Sequence, residues 1–222
     1  MKIGTDAVLL GAWSNADFYP DTILDIGAGT GVIALMLAQR FDAMTIDAVE
    51  MDENAYEQSV ENFEESDWAD RLYCYHSSFV DFAKEMIEEE EKYDLIVSNP
   101  PFYEEDYKTE NSARNNARFT SSLSFKKLLE GVSSLLSVNG IFSVIIPYKE
   151  QERFVTLAVK NKLNLVRICL VKGTPTSETK RSLLEFSFQE KEIIKEELII
   201  EVARHQYTQA YINLTKNFYL KM

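Results

Sequence analysis

Two cysteines and two histidines in 222 residues leave little room for several common chemistries. Cys74 and Cys169 are too few for a disulfide framework or a thiolate metal cluster, and each lies in an apolar, strand-like run where core packing is the plain reading. His76 and His205 stand far apart in the sequence, so neither a histidine metal site nor a Ser–His–Asp relay is in prospect, and no metal is expected. No apolar stretch approaches the roughly 18 residues that a membrane-spanning helix requires. Nor does an arginine-rich leader or a small-residue cleavage site open the chain, so a cytoplasmic protein with no membrane partner is expected. The first half also lacks positive charge: residues 1–120 hold 8 Lys+Arg against 26 Asp+Glu, whereas residues 121–222 hold 15 against 10. A polyanionic partner therefore has a landing surface only in the second half, where Lys149, Arg153, Lys160, Lys162, Arg167, Lys172, Lys180 and Arg181 are the candidates.

What is present is a core-forming composition, 45% hydrophobic, which fits one domain over residues 1–222. Short branched-aliphatic runs alternate with helix-length amphipathic stretches, the rhythm of a parallel sheet covered on both faces. Strands are expected at 22–26, 44–50, 72–76, 93–98, 140–146, 165–171 and 183–189. Helices are expected at about 29–40, 53–64, 79–90, 122–136 and 150–161, with Asn139-Gly140 stopping the fourth. The connection over 172–180 is too short for a crossover helix, so the last two strands form an antiparallel hairpin. The tail has room for a short strand at 198–200 and a short helix at 211–217.

Two motifs carry chemistry. Thr22 to Ile26 runs straight into Gly27-Ala28-Gly29-Thr30-Gly31, and glycines at a strand-to-helix turn let a ligand approach the backbone where the next helix offers free N–H groups. A Gly-x-Gly alone is shared with dinucleotide folds. Glu50, ending the second strand, sharpens it by standing where both hydroxyls of a ribose can donate to one carboxylate. Asp25 is expected to approach a ligand ammonium and Met51 to pack on an adenine face. Ser78 occupies the place where an acidic side chain would hold the adenine amino group, with Asp81 as its substitute. No hydride-relay group stands at a matching strand end, which argues against nicotinamide chemistry.

The second motif, Asn99-Pro100-Pro101-Phe102, follows the apolar run Tyr93 to Ser98. The amide oxygen of Asn99 and the carbonyl of Pro100 can each accept one N–H of an exocyclic amine and aim its lone pair. Pro100 and Pro101 stiffen the loop and remove backbone donors from it. Phe102 offers a ring on which a flipped base stacks, and Tyr103 a second face. Residues 103–121 read as a long substrate-binding or gating loop, in which Arg114 and Arg118 are placed to grip phosphate and base. The two motifs together imply methyl transfer from S-adenosyl-L-methionine to an exocyclic amino nitrogen, foremost N6 of adenine. Glutamine N5 methylation of a protein, and a non-catalytic cofactor-binding RNA module, are the competing readings.

Asp25 to Gly31 with Asn99 to Phe102 resemble the amino methyltransferases of DNA, RNA and protein glutamine. The opening Lys2-Ile3-Gly4-Thr5-Asp6-Ala7-Val8-Leu9-Leu10-Gly11-Ala12-Trp13, the stretch Arg114 to Phe119 and the tail Phe218-Tyr219-Leu220 narrow the resemblance to the bacterial tRNA1(Val) adenine-37 N6-methyltransferase family. This resemblance implies an α/β fold of the class I methyltransferase type, a Rossmann-like three-layer sandwich with a seven-stranded, mostly parallel sheet and a C-terminal antiparallel hairpin. It also implies that Lys2, Gly4, Thr5 and Asp6 close the cofactor pocket, that Asp25, Gly27, Gly29 and Glu50 hold S-adenosyl-L-methionine with Asn99 beside it, and that Asn99, Pro100 and Phe102 hold the target adenine. A tRNA partner and adenine 37 as target follow from the same likeness, and a monomer is expected. Two departures stand out. The family carries a stretch ahead of Lys-x-Gly-Thr-Asp, whereas here the element begins at once, which predicts weaker cofactor closure and substrate binding. Ser78 replaces the acidic adenine contact.

Overall fold

The computed structural model describes residues 4–14, 19–101 and 123–220. Its centre is a sheet whose middle strands are apolar on both sides, because helices cover both faces. The strands are β1 (Thr22–Ile26), β2 (Thr45–Glu50), β3 (Leu72–His76), β4 (Tyr93–Ser98), β5 (Leu136–Pro147), β6 (Asn164–Lys172), β7 (Thr179–Ser187) and β8 (Ile194–Ile199), and they lie in the order β3-β2-β1-β4-β5-β7-β6-β8. Every pairing is parallel except those of β7, which runs antiparallel to both β5 and β6.

Alternation along each strand divides the core in two. Ile23, Leu95, Val97, Ile141 and Ile145 point to one face, beneath α1 (Thr5–Trp13), α2 (Val32–Arg40), Phe63 of α3 (Glu53–Glu64) and Tyr211 of α7 (Gln209–Thr215). Leu24, Ile26, Ile96, Phe142, Val144 and Ile146 point to the other, beneath α4 (Phe79–Glu88), α5 (Phe125–Leu135) and α6 (Gln151–Lys160). This is the three-layer α/β sandwich expected. Among the described residues no helix is long and apolar enough to cross a membrane.

The structure corrects three expectations. The sheet has eight strands rather than seven: β8 adds to β6 in parallel register, Arg167 opposite Ile194 through Lys172 opposite Ile199. The short strand expected at 198–200 in fact begins at Ile194, and its first part, Ile194-Lys195-Glu196-Glu197, does not read as a strand because an edge position lets charged residues face solvent. The fourth expected helix ends at Leu135, and Asn139-Gly140 lies inside β5, where pairing with β4 jumps from Tyr93–Leu136 to Leu95–Ile141. The turn signal there marks a bulge in a strand. Finally, α2 starts at Val32, so the glycine segment stays a free turn up to Gly31.

Candidate active site

Strand register brings the two motifs together. Ile26 pairs with Val49 of β2 and with Ser98 of β4, so the next residues along, Gly27, Glu50 and Asn99, emerge side by side at the carboxyl ends of three adjacent strands. With strands about 4.8 Å apart, these three positions span roughly 10 Å. The chain also reverses its direction of winding between β1 and β4, and such a switch point opens a crevice in a doubly wound sheet.

The turn is shaped by its glycines and by Glu50. Gly27 has φ of +72°, and a Cβ built there would meet nothing within 4 Å, so the space in front of it is open to a ligand. Gly31 is required for the opposite reason: at φ +78° its missing Cβ would lie 2.4 Å from Phe63 Cε1 and 2.6 Å from Ser59 Oγ of α3. Glu50 accepts three backbone hydrogen bonds at 2.8 Å each, from Gly29 to Oε2 and from Met51 and Asp52 to Oε1. It therefore staples the glycine turn to the end of β2, with Oε1 fully used and Oε2 keeping one acceptor site. Sequence reasoning assigned Glu50 to a ribose and missed this second role.

Asp25 is fully buried beneath the turn. Its Oδ2 accepts from Ala34 N–H in the first turn of α2 at 3.2 Å, and its Oδ1 has no hydrogen-bond partner among the described residues. Burial pushes the carboxyl up from 3.8 to about 7, opposed by the Ala34 bond and reinforced by the charge of Glu50. An orphaned buried oxygen, the open space before Gly27 and the spare acceptor site on Glu50 Oε2 form an acceptor-bearing cradle, which fits a ligand with an ammonium and a ribose hydroxyl. Met51 is 47% exposed beside Glu50, available to pack on a flat ring rather than used in the core.

Ser78 and Asp81 are engaged with each other. Ser78 caps α4, accepting from the Asp81 N–H at 3.2 Å and donating its hydroxyl to Asp81 Oδ2 at 2.7 Å, while Lys84 donates to Asp81 Oδ1 at 3.1 Å. Hydrogen bonds from Ser78 and Lys84 hold the Asp81 carboxyl below its usual range. The pair forms a helix cap first. His76, at the end of β3 opposite Glu50, stacks on Tyr56 with ring centroids 5.0 Å apart.

On the substrate side, Asn99 is half-buried, Pro100 buried and Pro101 exposed. Ser98, just before them, is buried and donates to the Ile26 carbonyl at 3.0 Å, tying the ends of β4 and β1 so that Asn99 stands beside Gly27. Phe102, Tyr103, Arg114, Arg118 and Lys2 lie outside the described residues. Gly4 and Thr5 are exposed at the start of α1, and Asp6 accepts from Arg181 Nε of β7 at 2.8 Å. Lys149 and Arg153 are exposed just past β5, at the same edge of the sheet as Asn99. Arg167 and Lys172 are corrected: Arg167 is held by Glu185, Glu196 and the Trp13 ring, and Lys172 by Glu197 at 2.6 Å, so neither is an open landing point for a polyanion. Cys74 and Cys169 are free, and burial pushes their thiols up to about 11 and about 12, which leaves them protonated.

Known proteins bear on the fold and the family. Residues 3–122 match the family model described as the methyltransferase small domain. Among solved structures, a predicted O-methyltransferase from Agrobacterium tumefaciens shares the fold at a TM-score of 0.72 and 19% identity, over 95% of each chain. Another methyltransferase, complexed with SAH, aligns at a TM-score of 0.59 and 16% identity over 83% of this chain and 50% of its own. Two curated relatives bear the name tRNA1(Val) (adenine(37)-N6)-methyltransferase. The one from Flavobacterium psychrophilum is 59% identical over 100% of this chain and 94% of its own length, and the one from Bacteroides fragilis YCH46 is 45% identical over 100% and 92%. Identity of that order along the whole chain, with both motifs meeting at one crevice, places the chain in the tRNA1(Val) (adenine(37)-N6)-methyltransferase family.

Proposed function

We propose that this protein transfers a methyl group from S-adenosyl-L-methionine to N6 of adenine 37 in tRNA1(Val), as a cytoplasmic monomer. The observation that carries the reading is the register row Gly27–Glu50–Asn99, which sets an acceptor-bearing cofactor cradle beside an amine-accepting loop. Bound S-adenosyl-L-methionine supplies a methyl group already activated by its sulfonium. This chain's residues need only hold and aim. Glu50 takes a ribose hydroxyl, Asp25 compensates the ammonium from beneath the turn, and Met51 covers the adenine face. Asn99 Oδ1 and the Pro100 carbonyl accept the two N–H groups of the target amine, turning its lone pair toward the crevice, while Phe102 stacks on the base. Lys2, Gly4, Thr5 and Asp6 close the cofactor side, and Arg114 and Arg118 hold RNA near the pocket.

The direct test incubates the protein with labelled S-adenosyl-L-methionine and unmodified total tRNA, followed by nucleoside analysis and mapping of the modified position. Labelled N6-methyladenosine at position 37 of tRNA1(Val) is expected. Label in N2-methylguanosine, or in glutamine of a release factor with none in tRNA, would refute the assignment.

A further inference from the structure

The second half of the chain carries the positive charge, yet much of it is consumed internally: Arg167, Lys172 and Arg181 all meet carboxylates. Three further cations converge on one surface, although Lys126 and Arg153 also meet a carboxylate one helical turn away. A cavity of about 600 Å³ runs between the first turn of α5 and the outer face of α6, and Lys126, Arg153 and Lys160 line it, with Glu152 as its acidic residue. Arg153, Thr156 and Lys160 recur at three- and four-residue intervals, so one side of α6 presents them together. The Arg153 guanidinium lies 5.9 Å above the Phe125 ring and 3.6 Å from Glu150, which holds it over the groove. Lys160 has no acidic partner within ion-pair distance among the described residues, and Lys126 is 3.8 Å from Glu130 with most of its side chain exposed.

The place of this groove in the fold gives it meaning. Helix α6 follows β5 after the single 3-10 turn Tyr148–Glu150, and α5 starts at the same edge of the sheet, where Asn99 and Gly27 emerge. Both helix N-termini at this edge add a partial positive charge to the side-chain cations. The opposite edge of the sheet holds another cavity, of about 650 Å³, but there Arg40 is bound to the Gly11 and Ser14 carbonyls and Arg167 to the Trp13 carbonyl, Glu185 and Glu196. That leaves Lys191 as its open cation among the described residues, beside Glu192 and Glu196.

Resting on the function proposed above, we infer that the α5–α6 groove is the track for the phosphodiester backbone of the RNA next to the target adenine, with Lys126, Arg153 and Lys160 each facing phosphate. The groove positions RNA without reading its sequence, since lysine and a stacked arginine on phosphates discriminate charge and spacing only.

The test measures tRNA affinity from about 50 to 200 mM salt for the full chain and for a Lys126→Ala, Arg153→Ala, Lys160→Ala triple variant. Losing three phosphate contacts lowers the slope of log affinity against log salt by about 2 to 3, and weakens binding by roughly 10- to 100-fold at low salt. S-adenosyl-L-methionine affinity by calorimetry stays unchanged, as does tRNA binding by a Lys195→Ala control on β8. Should the triple variant fold poorly, Lys160→Ala alone, at an exposed position, lowers the slope by about 1. Coincident salt lines for the unaltered and variant proteins, with tRNA methylation intact, would overturn the groove and leave the methyltransferase assignment standing. An unaltered protein that neither binds nor methylates tRNA would overturn both.

Discussion

Replacing Asp25 with Asn tests the electrostatics of the cofactor cradle directly, because the carboxyl is fully buried with one oxygen unpartnered. Its pKa rises from 3.8 in the unfolded chain to about 7 in the fold, so the folded protein holds a proton that the unfolded chain has released. The associated stability is complete below about pH 4 and is lost as pH rises to about 7. Three pKa units at 1.36 kcal/mol each make the loss about 4 kcal/mol. Asparagine cannot ionise, and it still offers an oxygen to the Ala34 N–H. It also places an amide N–H₂ where no acceptor waits, at a cost of about 1–3 kcal/mol. In the cofactor-free protein the variant is therefore close to wild type or slightly weaker at about pH 5, and more stable by about 1–3 kcal/mol at pH 8. Urea denaturation of both proteins across that range reads the difference, in which Glu50, Asp47 and the other carboxylates largely cancel. Calorimetry with S-adenosyl-L-methionine then reads the opposite sign, since the variant loses the charge that compensates the ammonium and binds roughly tenfold or more weakly. A stability difference that does not move toward the variant with rising pH would refute the buried-charge argument. Undiminished cofactor affinity would refute the role given to Asp25.

Other substitutions separate the roles around the crevice. Asn99→Ala is expected to lower the methylation rate by roughly 100-fold or more, about 2.7 kcal/mol, at saturating tRNA with little change in cofactor affinity; wild-type turnover would end the acceptor role. Glu50→Ala removes three charge-assisted bonds to the turn as well as the ribose contact, so cofactor affinity and thermal stability fall together, and calorimetry showing unchanged affinity would count against it. Gly31→Ala forces a Cβ to within 2.4 Å of Phe63 at a positive φ and is expected to cost about 3 kcal/mol in urea denaturation. Glu185→Ala leaves Arg167 and Arg40 without their buried counter-charge and is expected to cost roughly 3–5 kcal/mol; a neutral result would show that water already screens the network.

The crevice was legible in the sequence because parallel strands align their ends. Once the apolar runs at 22–26, 44–50 and 93–98 are read as neighbouring parallel strands, the residues that follow them, Gly27, Met51 and Asn99, fall at one edge without any knowledge of side-chain contacts. Contacts made across the sheet left no such trace. Arg167 reads as a surface cation, yet its partners are Trp13 and Glu196, respectively 154 and 29 residues away, and only the pairing of β6 with β8 and the packing of α1 against them bring the three together. The first part of β8 was hidden by its own charges, and the bulge at Asn139-Gly140 used the same residues that end a helix.

The opening segment shows why a motif can be recognised in sequence long before its purpose can be derived. Gly11 lets α1 press on α2, because a Cβ there would stand 2.8 Å from Met36 Sδ. Trp13 donates its indole N–H to Glu196 Oε2 at 2.8 Å and carries the Arg167 guanidinium 4.2 Å over its ring. Asp6 is bound to Arg181 on β7. Thus α1, first in the chain, is fastened at its end by β6 and β8 and at its beginning by β7, strands that are formed from the last third of the sequence. Gly4 and Thr5, which the family resemblance assigns to the cofactor side, owe their position to those distant fastenings rather than to neighbours in sequence. The apolar and glycine pattern of this segment therefore encodes a docking geometry first, and the cofactor contact proposed for Gly4 and Thr5 depends on it: loosening Trp13 or Arg181 frees the start of α1.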